Sequence, residues 1–387
     1  MTEELRIVNL EVHTAGTDWR NLVFVKLFTD TGITGWGEAT VEYREHAVVA
    51  HLEFLAHIVR GLDALAPSAV WKRIVEDDWF RGDVVGLAAA SGVMIACLDI
   101  AGKAHDIPVY RLLGGPVRDR VPVYANGWYQ GERSPESYSE MARLAVERGH
   151  RALKVDPYGA AGMLATRRDL VEADALIGAI RDAVGPEVEI YVDAHGRFTP
   201  AIARMAARDL AEHGVGYLEE PVAPDNIEAM RELRSTSPIP LAGGERCIGR
   251  VGFRSLIEQD AVDIIQPDIC WCGGLLEAQR IAAWAELHQM VVSVHNANSP
   301  FATVVGCHLG AVIPNFLVLE TFDDFDEPWL QDAFRGLPAV TEGTLPLPEG
   351  PGIGVEPDET VLAGHPYRPV FLNLNVPGWE LRQGVID

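Results

Sequence analysis

The chain is poor in the features that mark small secreted or membrane-borne folds. It has five cysteines (Cys97, Cys247, Cys270, Cys272, Cys307) and no CxxC pair. That odd number excludes a fully paired disulfide frame and fits free thiols in a reducing compartment. Cys270 and Cys272 invite a zinc reading, but without a second ligand pair they read better as buried small hydrophobes. No apolar run reads as the ~20 residues that span a bilayer. The opening residues MTEELRIVNLEVHT lack a basic n-region and an apolar h-region, which predicts a cytoplasmic address. Positive charge is scarce as well: 32 Lys and Arg stand against 56 Asp and Glu, a formal net charge of -24. Such a surface repels nucleic acid and anionic membranes. It does not exclude an anionic small molecule, because a metal ion and local basic groups can reverse the potential within one pocket.

What is present is enough core for two units. With 387 residues, 48% of them hydrophobic, the chain can hold a ~250-residue barrel and a second domain. From about 121 to 320 there are eight apolar strand candidates: VPVYANG, ALKVDP, IYVDAH, GYLEEP, PLAGGE, VDIIQPD, VVSVHN and FLVLE. Helix signals lie between them. Ser134 and Thr199 read as N-caps, each followed by proline at the first helical position, and Gly149 and Gly214 close the same helices. In the second of these, Ile202, Ala206 and Leu210, with Ala203 and Ala207, form a core-facing stripe. The expectation is an α/β modified TIM barrel, (β/α)7β, over 123–344.

The first 122 residues read differently. VNLEVHTAG, NLVFVKLFTDTG and ITGWGEATVE suggest three antiparallel strands with a tight turn at Thr31-Gly32, followed by helices from about Glu45 to Gly61, Ser68 to Asp78 and Ala88 to Ala104. That is an α+β capping domain, and the Pro- and Gly-rich tail from about 345 to 387 is expected to return and complete it.

Asp193, Glu219 and Glu245 fall at equal intervals, each closing an apolar run. Parallel barrel strands lie side by side, so the three carboxylates converge at one end of the sheet. Converging negative charges call for a cation, and oxygen-only ligands suit a hard one. One such acid alone reads equally as a solvated strand end or a helix cap.

The ordered set KVD near 154, DAHGR at 193, EEP at 219, GGER at 243, QPD at 266, a histidine at 295 and a glutamate at 320, with WGE at 36 and PGIGV at 351, resembles the mandelate racemase subgroup of the enolase superfamily over nearly the whole chain. Within it, DxHGR followed by a histidine on the seventh strand is most similar to the acid-sugar dehydratases of the galactonate dehydratase pattern. The resemblance implies one Mg²⁺ on Asp193, Glu219 and Glu245, a small-molecule acid-sugar substrate, and a homo-oligomer. It implies His295 as the base, since enolase-superfamily sites use a Lys or His base with Mg²⁺, and Asp268 as the partner that orients it. His195 becomes the general acid that helps the 3-hydroxyl leave, against the plainer reading of an exposed loop histidine.

Lys154 is followed by Val155 and Asp156, so the second lysine of the racemase Lys-x-Lys pair is absent. Lys154 then either steadies the substrate carboxylate or serves in an ion pair, and Asp156 contacts a substrate hydroxyl. Glu320, if protonated or bridged by donors, is expected to hydrogen-bond the substrate carboxylate or ene-diolate, and Glu220 to stand behind the site. Two lid segments are expected, 13–21 and 76–86. Trp19, Trp79, Phe80 and Arg81 would supply aromatic walls and one cation, and Asn126, Trp128, Trp271 and Asn296 further contacts.

Three functions follow: dehydration of an aldonate or aldarate by a Mg-dependent hydro-lyase; racemisation, epimerisation or cycloisomerisation through the same ene-diolate; or a non-catalytic binding protein on the same scaffold.

Overall fold

A computed structural model describes residues 4–384 and Ile386. The first three residues of the expected cap, with Val385 and Asp387 of its tail, lie outside the described residues. Strands β1 (Ile7–Gly16), β2 (Asn21–Thr29) and β3 (Thr34–Glu38) form an antiparallel sheet in that order, with Val12 opposite Val25 and Val25 opposite Gly37. Because side chains alternate along β2, Leu22 and Phe24 join the barrel core while Val23, Val25 and Leu27 join the cap core. Both faces are covered, so the strand reads as one apolar run.

Helix α1 (Glu45–Val59) follows the sheet, and α2 (Pro67–Trp71) runs into a π-helical turn at Lys72–Glu76 where a single helix was expected. The third helix, α3 (Val84–His105), begins four residues before Ala88 because Asp83 caps it, accepting from Gly86 N at 2.8 Å. By length and composition α3 could cross a membrane, contrary to the expectation of no such run, with a mean hydropathy of 2.1 over its most apolar stretch. That stretch is 83% buried between the cap sheet and the barrel. The short α4 (Val109–Leu112) leads out of the cap.

Asp99 explains two motifs at once. It is buried in α3, and its carboxylate accepts from Trp36 N of the WGE motif and from Ile353 N of the PGIGV motif, both at 2.9 Å, with Lys103 Nζ at 2.8 Å. Strand β3 can come this close only because Gly35 and Gly37 lack side chains: a Cβ there would sit 2.2 Å from Ala96 O and 1.9 Å from Gly92 O. Asp99→Ala strands two buried N–H groups and an ammonium, so denaturant unfolding should show a loss of about 3 kcal/mol. A loss below ~1 kcal/mol would show that the tie between sheet, helix and tail matters little.

The barrel alternates β4 (Arg120–Ala125), α5 (Pro135–Glu147), β5 (Ala152–Val155), α6 (Arg167–Val184), β6 (Glu189–Asp193), α7 (Pro200–Ala211), β7 (Tyr217–Glu219), α8 (Ile227–Thr236), β8 (Leu241–Gly243), α9 (Gly249–Glu258), β9 (Ile264–Ile265), α10 (Gly274–Leu287), β10 (Val291–Val294), α11 (Pro300–Val312) and β11 (Phe316–Thr321). The strands pair in parallel, and β11 closes on β4 with Glu320 opposite Tyr124. Eight strands and seven helices make the (β/α)7β arrangement. Ser134 and Thr199 cap α5 and α7 through their hydroxyls, and Ala203, Ala206, Ala207 and Leu210 form the buried face of α7, with Ile202 only partly covered. A strand at Thr344–Pro346 adds antiparallel to β4.

Period two along the strands sets the site. A layer of Tyr124, Ala152, Tyr191, Tyr217 and Val318 fills the barrel interior. Two residues further along their strands, Lys154, Asp193, Glu219 and Glu320 point the same way at the C-terminal rim.

Candidate active site

Three carboxylates meet at that rim. Asp193 and Glu219 are opposite one another in register on β6 and β7. Glu245 arrives from just beyond β8, after Gly244, whose φ of +127° and whose missing Cβ, which would lie 2.7 Å from the Phe253 ring, carry the chain round into the site. One oxygen from each acid lies within 4.8 Å of the others, and all three residues are buried. Burial, and then the charge of Asp193, push the Glu219 carboxyl well above the usual range despite the opposing Lys154. Three carboxylates whose oxygens converge on one point fit a hard divalent cation.

Lys154 is the permanent counter-charge. Its Nζ lies 2.9 Å from Glu219 Oε2, 2.9 Å from Glu320 Oε1 and 3.8 Å from Asp193 Oδ2. Burial raises the proton affinity of Glu320, but Lys154 and His295 overcome it and bring its carboxyl to about 2. Its carboxylate accepts from Asn126 Nδ2 at 2.7 Å and Asn296 N at 3.0 Å.

His295 is held by Asp268. The two residues form a bridge beyond the ends of β10 and β9, and His295 Nδ1 lies 2.8 Å from Asp268 Oδ2. Asp268 is buried and also accepts from Asn298 Nδ2 at 2.8 Å and Cys270 N at 2.7 Å. The cap supports this arrangement, since Arg20 donates to Asn298 O at 2.7 Å and Glu38 accepts from the Ser299 amide and hydroxyl. The free Nε2 of His295 faces the cavity, 3.7 Å from Glu245 Oε2 and 3.9 Å from Glu320 Oε2. Burial disfavours the imidazolium, but Glu245, Asp268 and Glu320 together raise its pKa well above the ordinary histidine value.

His195 stands on the other side of the triad. Its backbone is left-handed (φ +50°), a conformation uncommon outside glycine. Nδ1 contacts Asp156 Oδ2 at 2.7 Å, and Nε2 lies 3.3 Å from Asp193 Oδ2. The protein thus has two histidines, each backed by a buried carboxylate, one beside the first acid of the triad and one beside the third.

Several expected substrate contacts are placed elsewhere. Asp156 is fully buried behind the cavity wall, and its carboxylate is held by His195, Arg197 and the Tyr158 amide rather than presented to a substrate hydroxyl. The Asn296 amide donates to Thr303 Oγ1 and Glu320 O and is buried, so it braces Glu320 rather than facing the cavity. Trp128 is likewise turned away, donating to Lys154 O at 2.8 Å. Arg81 lines a separate groove between the cap and α9 and α10, and Trp79 and Phe80 beside it are 90% and 83% exposed. Their loop turns outward before α3, and only Val84 of the segment reaches the cavity.

Trp19, Asn126 and Trp271 do line the cavity, which encloses about 470 Å³. Trp271 donates to Glu245 O at 2.6 Å and lies over His295, with ring centroids 5.4 Å apart. Cys270 and Cys272 are buried thiols among apolar neighbours.

Other residues of the cavity carried little signal. Arg246, inside the GGER motif, lies 3.4 Å from Glu245 Oε1 and 3.2 Å from Glu220 Oε2, while Arg197 of DAHGR stands behind the cavity wall on Asp156. Glu42 of the cap, whose carboxyl burial pushes up to about 7, and Trp379 and Arg382 of the tail have no motif around them.

Two family profiles cover most of the chain: the mandelate racemase / muconate lactonizing enzyme N-terminal domain matches residues 2–114, and the enolase C-terminal domain-like family matches residues 137–361. The chain belongs to the enolase superfamily. This superfamily member is 34% identical to a D-gluconate dehydratase of Thermoproteus tenax, over 93% of this chain and 73% of that one. It is 31% identical to a D-galactonate dehydratase of Variovorax paradoxus, over 97% and 96%. Among solved structures, a mandelate racemase/muconate lactonizing enzyme from Sulfitobacter superposes with a TM-score of 0.88 at 32% identity, over 94% of this chain and 96% of that one.

Proposed function

We propose that this protein is a dehydratase of a sugar acid, an aldonate or aldarate, that abstracts the C2 proton and eliminates the 3-hydroxyl. The observation that carries the reading is the pair of carboxylate-backed histidines on either side of one acid triad. Elimination needs a base for the carbon-bound proton and an acid for the departing oxygen, and a histidine held by a buried carboxylate suits either task. The dehydratase names of the relatives in gluconate, galactonate and xylonate chemistry support the substrate class.

In this proposal Asp193, Glu219 and Glu245 would hold one Mg²⁺. Its positive charge would stabilise the ene-diolate and offset the carboxylate field that favours the His295 imidazolium. Lys154, between Glu219 and Glu320, steadies the substrate carboxylate. His295 Nε2 takes the C2 proton, and the electron pair left behind moves into the ene-diolate. As that pair returns, it forms the C2–C3 double bond and the C3–O bond breaks. His195 delivers a proton to the leaving oxygen, which departs as water. The enol then becomes the 2-keto-3-deoxy acid. Asp268 and Asp156 fix the two rings without touching substrate. The lysine missing at 156 removes a strand-two base, but two histidines flanking the triad could also serve a racemase, epimerase or cycloisomerase, which keeps that reading as the alternative.

A panel of aldonates and aldarates assayed with Mg²⁺ for 2-keto acid formation tests the reading. Exchange of the C2 proton in deuterated water without keto acid would favour racemisation or epimerisation, and neither product nor exchange would leave a binding protein. His195→Asn should slow keto acid formation about 100-fold, the low end of what a positioned proton-transfer group contributes, while C2 exchange through His295 persists. Equal loss of both would remove His195 from the leaving-group step.

A further inference from the structure

The end of the chain forms part of the active-site roof. Gly16 N donates to His365 O at 2.8 Å, Asn21 and Arg368 exchange two hydrogen bonds of 2.9 Å, and Leu372 N donates to the Tyr43 hydroxyl at 3.1 Å, all on the cap. Trp379 then crosses to the barrel, donating to Gly159 O at 3.1 Å, and its ring stands edge-on to His195. Arg382 follows, with a left-handed backbone and only 6% of its surface exposed.

This guanidinium is surrounded by aromatic rings. It lies over the rings of Phe322, Trp19 and Tyr129, at 4.6, 5.2 and 5.4 Å from their centroids. One nitrogen donates to Asn126 Oδ1 at 3.3 Å, and that same Asn126 amide holds Glu320. Among the described residues no carboxylate oxygen lies within 4.0 Å of it; Asp326, the acid that acts on it, is paired with Arg20. Room for it is built into the barrel rim, since a Cβ on Gly127 would sit 2.2 Å from its Nη1. Burying a guanidinium is costly unless its donors find acceptors, and Arg382 lines the catalytic cavity.

We propose that Arg382 is a specificity-determining residue that recognises the far end of the acid-sugar chain, donating to oxygen acceptors beyond C3. This rests on the dehydratase reading of the site. There the carboxylate end of the substrate lies at the triad and Lys154, and C2 and C3 lie between His295 and His195. The carbons beyond C3 must then leave toward the roof of cap and tail, where Arg382 presents forked donors suited to paired hydroxyls or to a second carboxylate.

The test compares kcat/KM for keto acid formation from a six-carbon aldonate, the aldarate of the same configuration and a four-carbon aldonate, which keeps C2 and C3 but has little chain beyond them. In Arg382→Gln the ratio of six-carbon to four-carbon activity should fall roughly 10- to 100-fold, the range for lost hydrogen bonds to a charged group. Arg382→Lys should recover part of it, because charge returns without the fork. A steeper fall on the aldarate than on the aldonate would assign the acceptor as a carboxylate, and equal falls would assign hydroxyls; either supports the proposal. Loss by one common factor on short and long acids, as a merely structural arginine would give, overturns it, and so does no loss at all. If the unaltered protein forms keto acid from none of the acids, the dehydratase reading fails and takes this one with it.

Discussion

His295→Asn should lower turnover about 10⁴-fold, the upper end of what a positioned proton-transfer group supplies, and should abolish C2 exchange in deuterated water along with product. The substitution is chosen so that the loss reports chemistry. An asparagine amide at 295 can still donate to Asp268 Oδ2, which in the native protein takes His295 Nδ1 at 2.8 Å and Asn298 Nδ2 at 2.8 Å. The buried Asp268 would therefore keep its partners, and thermal stability should change little. What disappears is the Nε2 that faces the cavity between Glu245 and Glu320. Turnover within tenfold of the native value would remove His295 from the proton-transfer step. Exchange that survives while product is lost would move the base to another group, with His195 the first to examine.

Glu219→Gln should cost about 10³-fold or more in turnover, since a bound cation is worth several kcal/mol of charge stabilisation and each 1.36 kcal/mol is a factor of ten. Glu219 is the middle acid of the triad, buried between Asp193 and Glu245. The amide preserves its shape and removes its charge. A second readout needs no substrate. A ligand that binds only the folded state stabilises it by about 2.7 kcal/mol at a hundredfold excess over Kd. The melting temperature of the native protein should thus climb with Mg²⁺ concentration, and that of the variant should stay nearly flat. Parallel climbs would place magnesium somewhere other than the triad.

The sequence was most informative where strand geometry alone decides direction. Strand ends in a parallel barrel share one rim, so Asp193, Glu219 and Glu245 could be grouped from their positions after apolar runs, while Asp268, His295 and Glu320 joined them through the resemblance, and the structure brings all six together. Reading failed where a side chain's partner lies far along the chain. Asp156 follows Lys154 by two residues and so shares its side of the strand, but Arg197 and His195 claim its carboxylate. Arg81 and its aromatic neighbours depend on the path of a loop before α3, which no local periodicity encodes. Glu42 and Arg382 have no motif around them, because they reach the cavity only through the packing of cap and tail on the barrel.

The place of Lys154 bears on the order in which the protein is assembled. A pocket of crowded carboxylates would ordinarily tie folding to the arrival of an ion, as in small zinc domains that are unfolded without metal. Here an ammonium within 3 Å of both Glu219 and Glu320 is built into β5, and Arg246 lies beside Glu245. These two cations come with the chain itself, so on the proposed metal-binding reading the polypeptide can reach its native shape before the ion is loaded.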